Sequence, residues 1–133
     1  MQITQALEFV SGNSRAVLAT RRTDGRPQLS PVNAGVLDGQ LVISSRAPLA
    51  KVRNLRRDPM VSILVMSDAF YGRWVQLDGT ADIVELPEAM ELLVAVYRAI
   101  KGEHPDWADY RAAMVRDQRV AIRITPQRVA AGG

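Results

Sequence analysis

The segment Arg73–Val84, "RWVQLDGTADIV", alternates strictly: Val75, Leu77, Gly79, Ala81 and Ile83 share one side of an extended chain, and Trp74, Gln76, Asp78, Thr80 and Asp82 share the other. Successive side chains of a strand point to opposite faces, so this period of two predicts a β-strand with one face on a core. The shorter runs "RAVLATRR", "QLVIS", "MVSILVMS" and "RVAIRITP" read as further strands, the last with Val120, Ile122 and Ile124 alternating. "PQLSPVNAGVL" is an extended segment between two Asp-Gly pairs, Asp24-Gly25 and Asp38-Gly39, which reach positive φ readily and mark hairpin turns.

Helical spacing is confined to four places. Ile3, Ala6, Leu7 and Val10 form an apolar stripe ended by Gly12 and Asn13. Pro48 to Arg57 is a short helix stopped by Asp58-Pro59. Pro87 to Lys101 is a longer one, with Glu88 in its first turn and Gly102 just after it. "DWADYRAAMVRD" is opened by Asp106. The strands do not alternate with helices in a βαβ rhythm. The expected architecture is therefore α+β: an antiparallel barrel or sheet with helices to one side, in one domain spanning residues 1–133.

Composition narrows the chemistry. An apolar fraction of 47% argues for a packed core, and the absence of cysteine excludes disulfides and thiolate sites, which suits a reducing cytoplasm. The N-terminal "MQITQALEFV" lacks a basic start, and no apolar run approaches a membrane span, so a soluble intracellular protein is expected. The only histidine, His104, stands before Pro105 in a loop, where a solvated side chain is expected rather than a metal ligand. There is no Walker loop, no G-x-G-x-x-G fingerprint and no specific Ser, His and Asp set. An enzyme so poor in acid–base equipment needs an organic cofactor to carry the reaction.

One charge run stands out. "RAPLAKVRNLRRDP", Arg46–Pro59, holds five cations with no carboxylate between Arg46 and Arg57. A solvated helix face accounts for Arg53, Arg56 and Arg57, which complement the dipole at a helix C-terminus. It does not account for Arg46 and Lys51, which lie where the dipole favours negative charge. Free N–H groups at a helix start, Ser44 and Ser45 just before it and two cations make a candidate phosphate cradle. Pro27 and Pro31 cannot donate to a ladder, so the second extended segment is either a protected edge strand or faces a ligand. Trp74, on the polar side of its strand beside Gln76, fits rim packing, a stacking contact or a subunit interface.

In order and content these motifs resemble the pyridoxamine-phosphate-oxidase-like split β-barrel proteins, and within them the branch that uses the deazaflavin coenzyme F-420. The likeness runs from "SGNSRAVLATRRTDGRPQLSPV" through "APLAKVRNLRRDPMVSILV" and "WVQLDGTADI" to "GEHPDWADYRAAMVRDQRVAIRITP". It implies a six-stranded split barrel that forms a homodimer with two cofactor sites at the subunit interface. Pro27, Gln28, Leu29, Ser30, Pro31 and Val32 would then lie along the cofactor ring, and Ser44, Ser45, Arg46 and Lys51 would hold its phosphate. Carboxylates of the tail would pass Arg53, Arg56 or Arg57, and Trp74 and Gln76 would reach the ring from the other subunit. The implied activity is hydride transfer from reduced F-420 to an electron-poor double bond of a small organic substrate.

Some relatives carry a second basic residue where this chain has Leu49. The flavin-using oxidases carry an arginine–lysine pair near "PLAKV" that this chain lacks, which favours F-420 over FMN. An FMN-dependent oxidase, a non-catalytic F-420-binding or carrier protein, and a nucleic-acid-binding protein remain alternatives. The last is favoured by a pI near 9.8 and disfavoured by an aromatic content of 5%.

Overall fold

The computed structural model describes residues 1–133. In chain order the elements are α1 (Ile3–Gly12), β1 (Arg15–Arg21), β2 (Pro27–Asn33), β3 (Gly35–Leu37), β4 (Gln40–Arg46) and α2 (Ala50–Arg57). There follow β5 (Met60–Met66), β6 (Trp74–Val84), α3 (Ala89–Lys101), α4 (Trp107–Arg116) and β7 (Arg119–Gly132). The strands form one antiparallel sheet in the order β2-β1-β5-β6-β7-β4-β3. It curls until edge strand β2 approaches β4 without pairing to it, which leaves a split barrel.

Seven strands stand where six were expected, because "PQLSPVNAGVL" breaks at Ala34. That residue is buried and donates its N–H to the Ser14 carbonyl at 2.8 Å. The break lets Pro27–Asn33 pair with β1 and Gly35–Leu37 pair with β4, at opposite ends of the sheet. A second difference lies at the C-terminus, where the expected strand ended at Pro126 and β7 runs on to Gly132. Pro126, which has no N–H, faces Gly79 at a register shift between Asp78 and Gly79, and beyond it Ala130 pairs with Gln76 and Gly132 with Trp74.

The alternation on β6 gives the expected burial, with Val75, Leu77, Gly79 and Ala81 inside. They join Leu18, Ile43, Ile63, Ile122 and Ile124 in the barrel interior, where Ala6, Leu7 and Val10 of α1 also pack. A second core lies outside the barrel: α3 and α4 place Leu93, Val94, Val96, Tyr110 and Met114 against Val42 of β4 and Ala121 of β7. Asp106 opens α4 as expected, its carboxylate accepting the Asp109 N–H at 3.1 Å. Helix α2 begins at Ala50 rather than Pro48, which sits in the preceding turn. No helix is long and apolar enough to cross a membrane.

The outer face of β1, β5 and β6 carries Val17, Leu64, Met66 and Trp74 half-buried, with Leu29 of β2 exposed beside them. The pairings Val17↔Leu64 and Met66↔Trp74 set these side chains next to one another. The second core lies over β4 and β7, so it leaves this face bare.

Candidate functional site

An open cleft of about 530 Å³ lies at the split of the barrel. Its walls are the end of β2 (Pro31–Asn33), the end of β4 (Ser44–Arg46), the start of α2 (Leu49 and Lys51), the inner sides of α3 and α4, and Arg119 at the start of β7. Four cations, Arg46, Lys51, Lys101 and Arg119, line it, and no carboxylate does.

Each structural cause is local. β4 delivers Ser44, Ser45 and Arg46 in sequence, so adjacent side chains leave opposite sides of the strand and meet the cleft at its rim. Leu49, the N-cap of α2, supplies no side-chain hydrogen bond, and no acidic residue occupies the first turn. The positive end of the helix is therefore not neutralised from within the chain.

Ser45 is 3% exposed, and its hydroxyl has no partner; the Nε of Arg119 is likewise buried and unpartnered. Buried polar atoms are nearly always satisfied, so two orphans at one cleft mark missing acceptors. Arg46, Lys51 and Arg119 also take no part in any ion pair, although nine other arginines do. Lys51 titrates below an ordinary lysine, first because burial strips water from its ammonium, then through repulsion by Arg46 and Arg119. An anion reverses each of these penalties. The donor set of hydroxyls, cations and helix N–H groups fits the phosphate of a flavin or deazaflavin cofactor.

The residues expected from the sequence divide between this cleft and other places. Pro31, Val32, Ser44, Ser45, Arg46 and Lys51 meet in it. Gln28 and Ser30 share the inner face of β2 with Val32 but lie earlier along the strand, outside the cleft. The Gln28 amide donates to the Ser30 hydroxyl at 2.9 Å, its carbonyl lies 3.4 Å from Thr20 Oγ1, and Asn54 Nδ2 of α2 donates to that same Thr20 oxygen at 3.1 Å. This buried polar chain ties the strand beside the cleft to the helix that carries Lys51. Pro27 and Leu29 lie on the outer side of β2, Leu29 at 61% exposure.

Arg56 is engaged elsewhere, bonded to Glu85 at 2.6 Å, and Arg57 donates to the Arg21 carbonyl. None of Arg53, Arg56 and Arg57 lines the cleft. Trp74 and Gln76 stand on the outer face of β6. Gln76 borders a second cleft, of about 570 Å³, in which Asp78 accepts from Ser62 at 2.7 Å, Gln76 at 3.0 Å and Arg128 at 3.0 Å. Those bonds hold the Asp78 carboxyl below its usual range, the ones from Ser62 and Gln76 counting most.

Sequence reading missed Tyr97, Lys101, Tyr110 and Arg119. No local signal identifies them: Arg119 reaches the site only because β7 pairs with β4 in the register Arg46↔Arg119. His104 also differs from expectation. It is half-buried among Tyr97, Trp107 and Tyr110, with ring centroids 5.1 to 5.6 Å away, and its Nδ1 accepts the Asp106 N–H. The α3–α4 connection folds back on itself, which gives the imidazole apolar neighbours that a loop reading does not foresee.

Comparison with known proteins bears on the fold and the family. Rv2991 of Mycobacterium tuberculosis, described as a conserved hypothetical protein, superposes with a TM-score of 0.81 at 33% identity, over 98% of this chain and 84% of its own. An F-420 reductase matches at TM-score 0.71 and 24% identity, over 92% and 94% of the two chains. A heme-binding protein from Mycobacterium smegmatis matches at TM-score 0.74 and 24% identity, over all of this chain and 55% of its own. The family model described as pyridoxamine 5'-phosphate oxidase matches residues 3–131, from the first helix to the end of the barrel, and the chain belongs to that family.

Proposed function

We propose that the protein is an F-420-dependent oxidoreductase acting as a homodimer. The observation that carries the reading is the buried, unpartnered Ser45 hydroxyl in a carboxylate-free cleft beside Arg46 and Lys51. Ser44, Ser45, Arg46 and Lys51 bind the cofactor's phosphate, the helix start of α2 adds its N–H groups, and Pro31 and Val32, the members of the Pro27–Val32 run that line the cleft, flank the ring. When bound, the reduced deazaflavin supplies a hydride from C5 to an electron-poor double bond of a small organic substrate. The chain's own task is to anchor the anionic tail and orient one ring face, which turns a bimolecular encounter into a positioned one. Neither carboxyl nor imidazole lines the cleft, so no general acid is assigned, and the completing proton comes from water or from the substrate pocket.

The likeness to an F-420 reductase across nearly the full chain supports the deazaflavin, and the absence of an arginine–lysine pair at "PLAKV" argues in the same direction. The family description favours FMN as the second reading. The absence of carboxyl and imidazole groups from the cleft favours a third, binding or carriage of F-420 without turnover. Titration with F-420 and FMN in parallel, followed by fluorescence at physiological salt, separates the first two. Tight F-420 binding with weak FMN binding is expected; the reverse order would replace the deazaflavin by the flavin. Hydride transfer to activated enones under stopped flow then separates enzyme from carrier.

The dimer reading rests on the bare face of Val17, Leu29, Leu64, Met66 and Trp74. Contiguous apolar surface of this kind is what a subunit interface covers, and a second copy seated there brings Trp74 and Gln76 toward the partner's ring. Sedimentation at micromolar concentration is expected to give a dimer, and Leu64→Arg a monomer with weakened cofactor affinity. A monomeric wild type that binds cofactor tightly would remove the shared site.

A further inference from the structure

The cations at the cleft outnumber what one phosphoryl group requires. Arg46 and Arg119 are directly opposite on neighbouring antiparallel strands, so their side chains leave the same face of the sheet. Like charges in that relation repel, and no carboxylate in the cleft relieves them. Arg119 is held inward: its Nε is buried without an acceptor. The cleft continues past Lys51 under α3 and α4, where Tyr97 and Tyr110 form the wall and the Lys101 ammonium stands 5.6 Å from the centre of the Tyr97 ring. Tyr110 spends its hydroxyl on the Leu93 carbonyl at 2.8 Å and leaves Arg119 unbonded.

We propose that Arg119 is the centre of a second anionic subsite contiguous with the phosphate cradle, so that the ligand carries two negative groups on one scaffold. The first is a phosphoryl group at Ser44, Ser45, Arg46 and Lys51; the second, a carboxylate or another phosphoryl, lies at Arg119 beneath Tyr110. In an F-420 complex the tail then runs under α3 and α4 rather than past Arg53, Arg56 and Arg57. The proposal rests on the anion-binding reading of the cleft and not on the identity of the ring.

The test compares wild type, Arg119→Gln and Arg119→Lys, titrated with F-420, FMN, inorganic phosphate and pyrophosphate at two salt concentrations. Wild type is expected to prefer pyrophosphate over phosphate by at least tenfold. Arg119→Gln removes that preference and weakens F-420 binding tenfold or more, with phosphate affinity within twofold and a melting temperature no lower than wild type. Arg119→Lys, which keeps the charge, recovers part of the loss. Pyrophosphate and F-420 affinities within twofold of wild type in Arg119→Gln would overturn the subsite. Pyrophosphate binding that depends on Arg119 without F-420 or FMN binding keeps the subsite and rejects the cofactor reading. Failure of every anion to bind wild type rejects both.

Discussion

Ser45→Ala is expected to move stability and binding in opposite directions. In the free protein the hydroxyl is 3% exposed and makes no hydrogen bond to another residue. An unsatisfied buried polar group costs about 1–3 kcal/mol, and its removal is expected to stabilise the free protein by about 1 kcal/mol. For 133 residues at about 2.1 cal/mol/K of unfolding entropy per residue, that is a rise in Tm of about 4 °C. With ligand bound, the same hydroxyl donates to an anion, a bond worth about 1.5 kcal/mol, or about tenfold in Kd. At a ligand concentration of about 100 times the wild-type Kd, wild type gains about 2.7 kcal/mol, or about 10 °C, and the variant about half of that. Differential scanning fluorimetry with and without F-420 or FMN reads both effects. A free Ser45→Ala protein that melts below wild type, or a ligand shift equal to that of wild type, would refute the reasoning, and the first comparison needs no cofactor.

Three further outcomes follow from the same geometry. A Cβ at Gly79 would overlap the Thr125 carbonyl oxygen, so Gly79→Ala must part β6 from β7 and is expected to cost about 3 kcal/mol or more in urea denaturation; a loss under about 1 kcal/mol would contradict the fit. Asn54→Ala removes the donor to the fully buried Thr20 hydroxyl and is expected to cost about 1–3 kcal/mol, with an unchanged urea midpoint as the refuting result. Because Lys51 titrates below an unfolded lysine, its contribution to folding rises with pH between the depressed value and the ordinary one near 10.5. Anion binding requires the charged ammonium, so affinity is expected to fall over that same window; Lys51→Arg abolishes the fall, and a wild-type profile identical to that of Lys51→Arg would clear Lys51 of the site.

The two halves of the site were legible to different degrees. Lys51 and Arg46 could be picked out because their charge opposes the local helix dipole, a conflict visible along the six residues from Arg46 to Lys51. The neighbouring Arg56 and Arg57 carry the same charge in the same run, yet they serve α2's C-terminal end, Glu85 and the Arg21 carbonyl. Charge alone does not separate the two uses; direction does. On β2 a run of six residues was read as one ring-facing unit, whereas alternation sends Gln28 and Ser30 into a hydrogen-bonded interior and Pro27 and Leu29 outward.

Local pattern was sufficient for the strand character of β1, β4, β5, β6 and β7, for the four helices and for the antiparallel α+β class, because periodicity and turn chemistry act over a few residues. It was sufficient also to raise the expectation of an anion at the start of α2. It could not show that "PQLSPVNAGVL" is two strands, since the break at Ala34 follows from a bond to Ser14 and from pairing at opposite ends of the sheet. Nor could it show that Arg119, 73 positions after Arg46, stands directly across from it. Such neighbours are made by sheet register, a property of which strands meet, and the third cation of this cleft exists only once β7 has closed against β4.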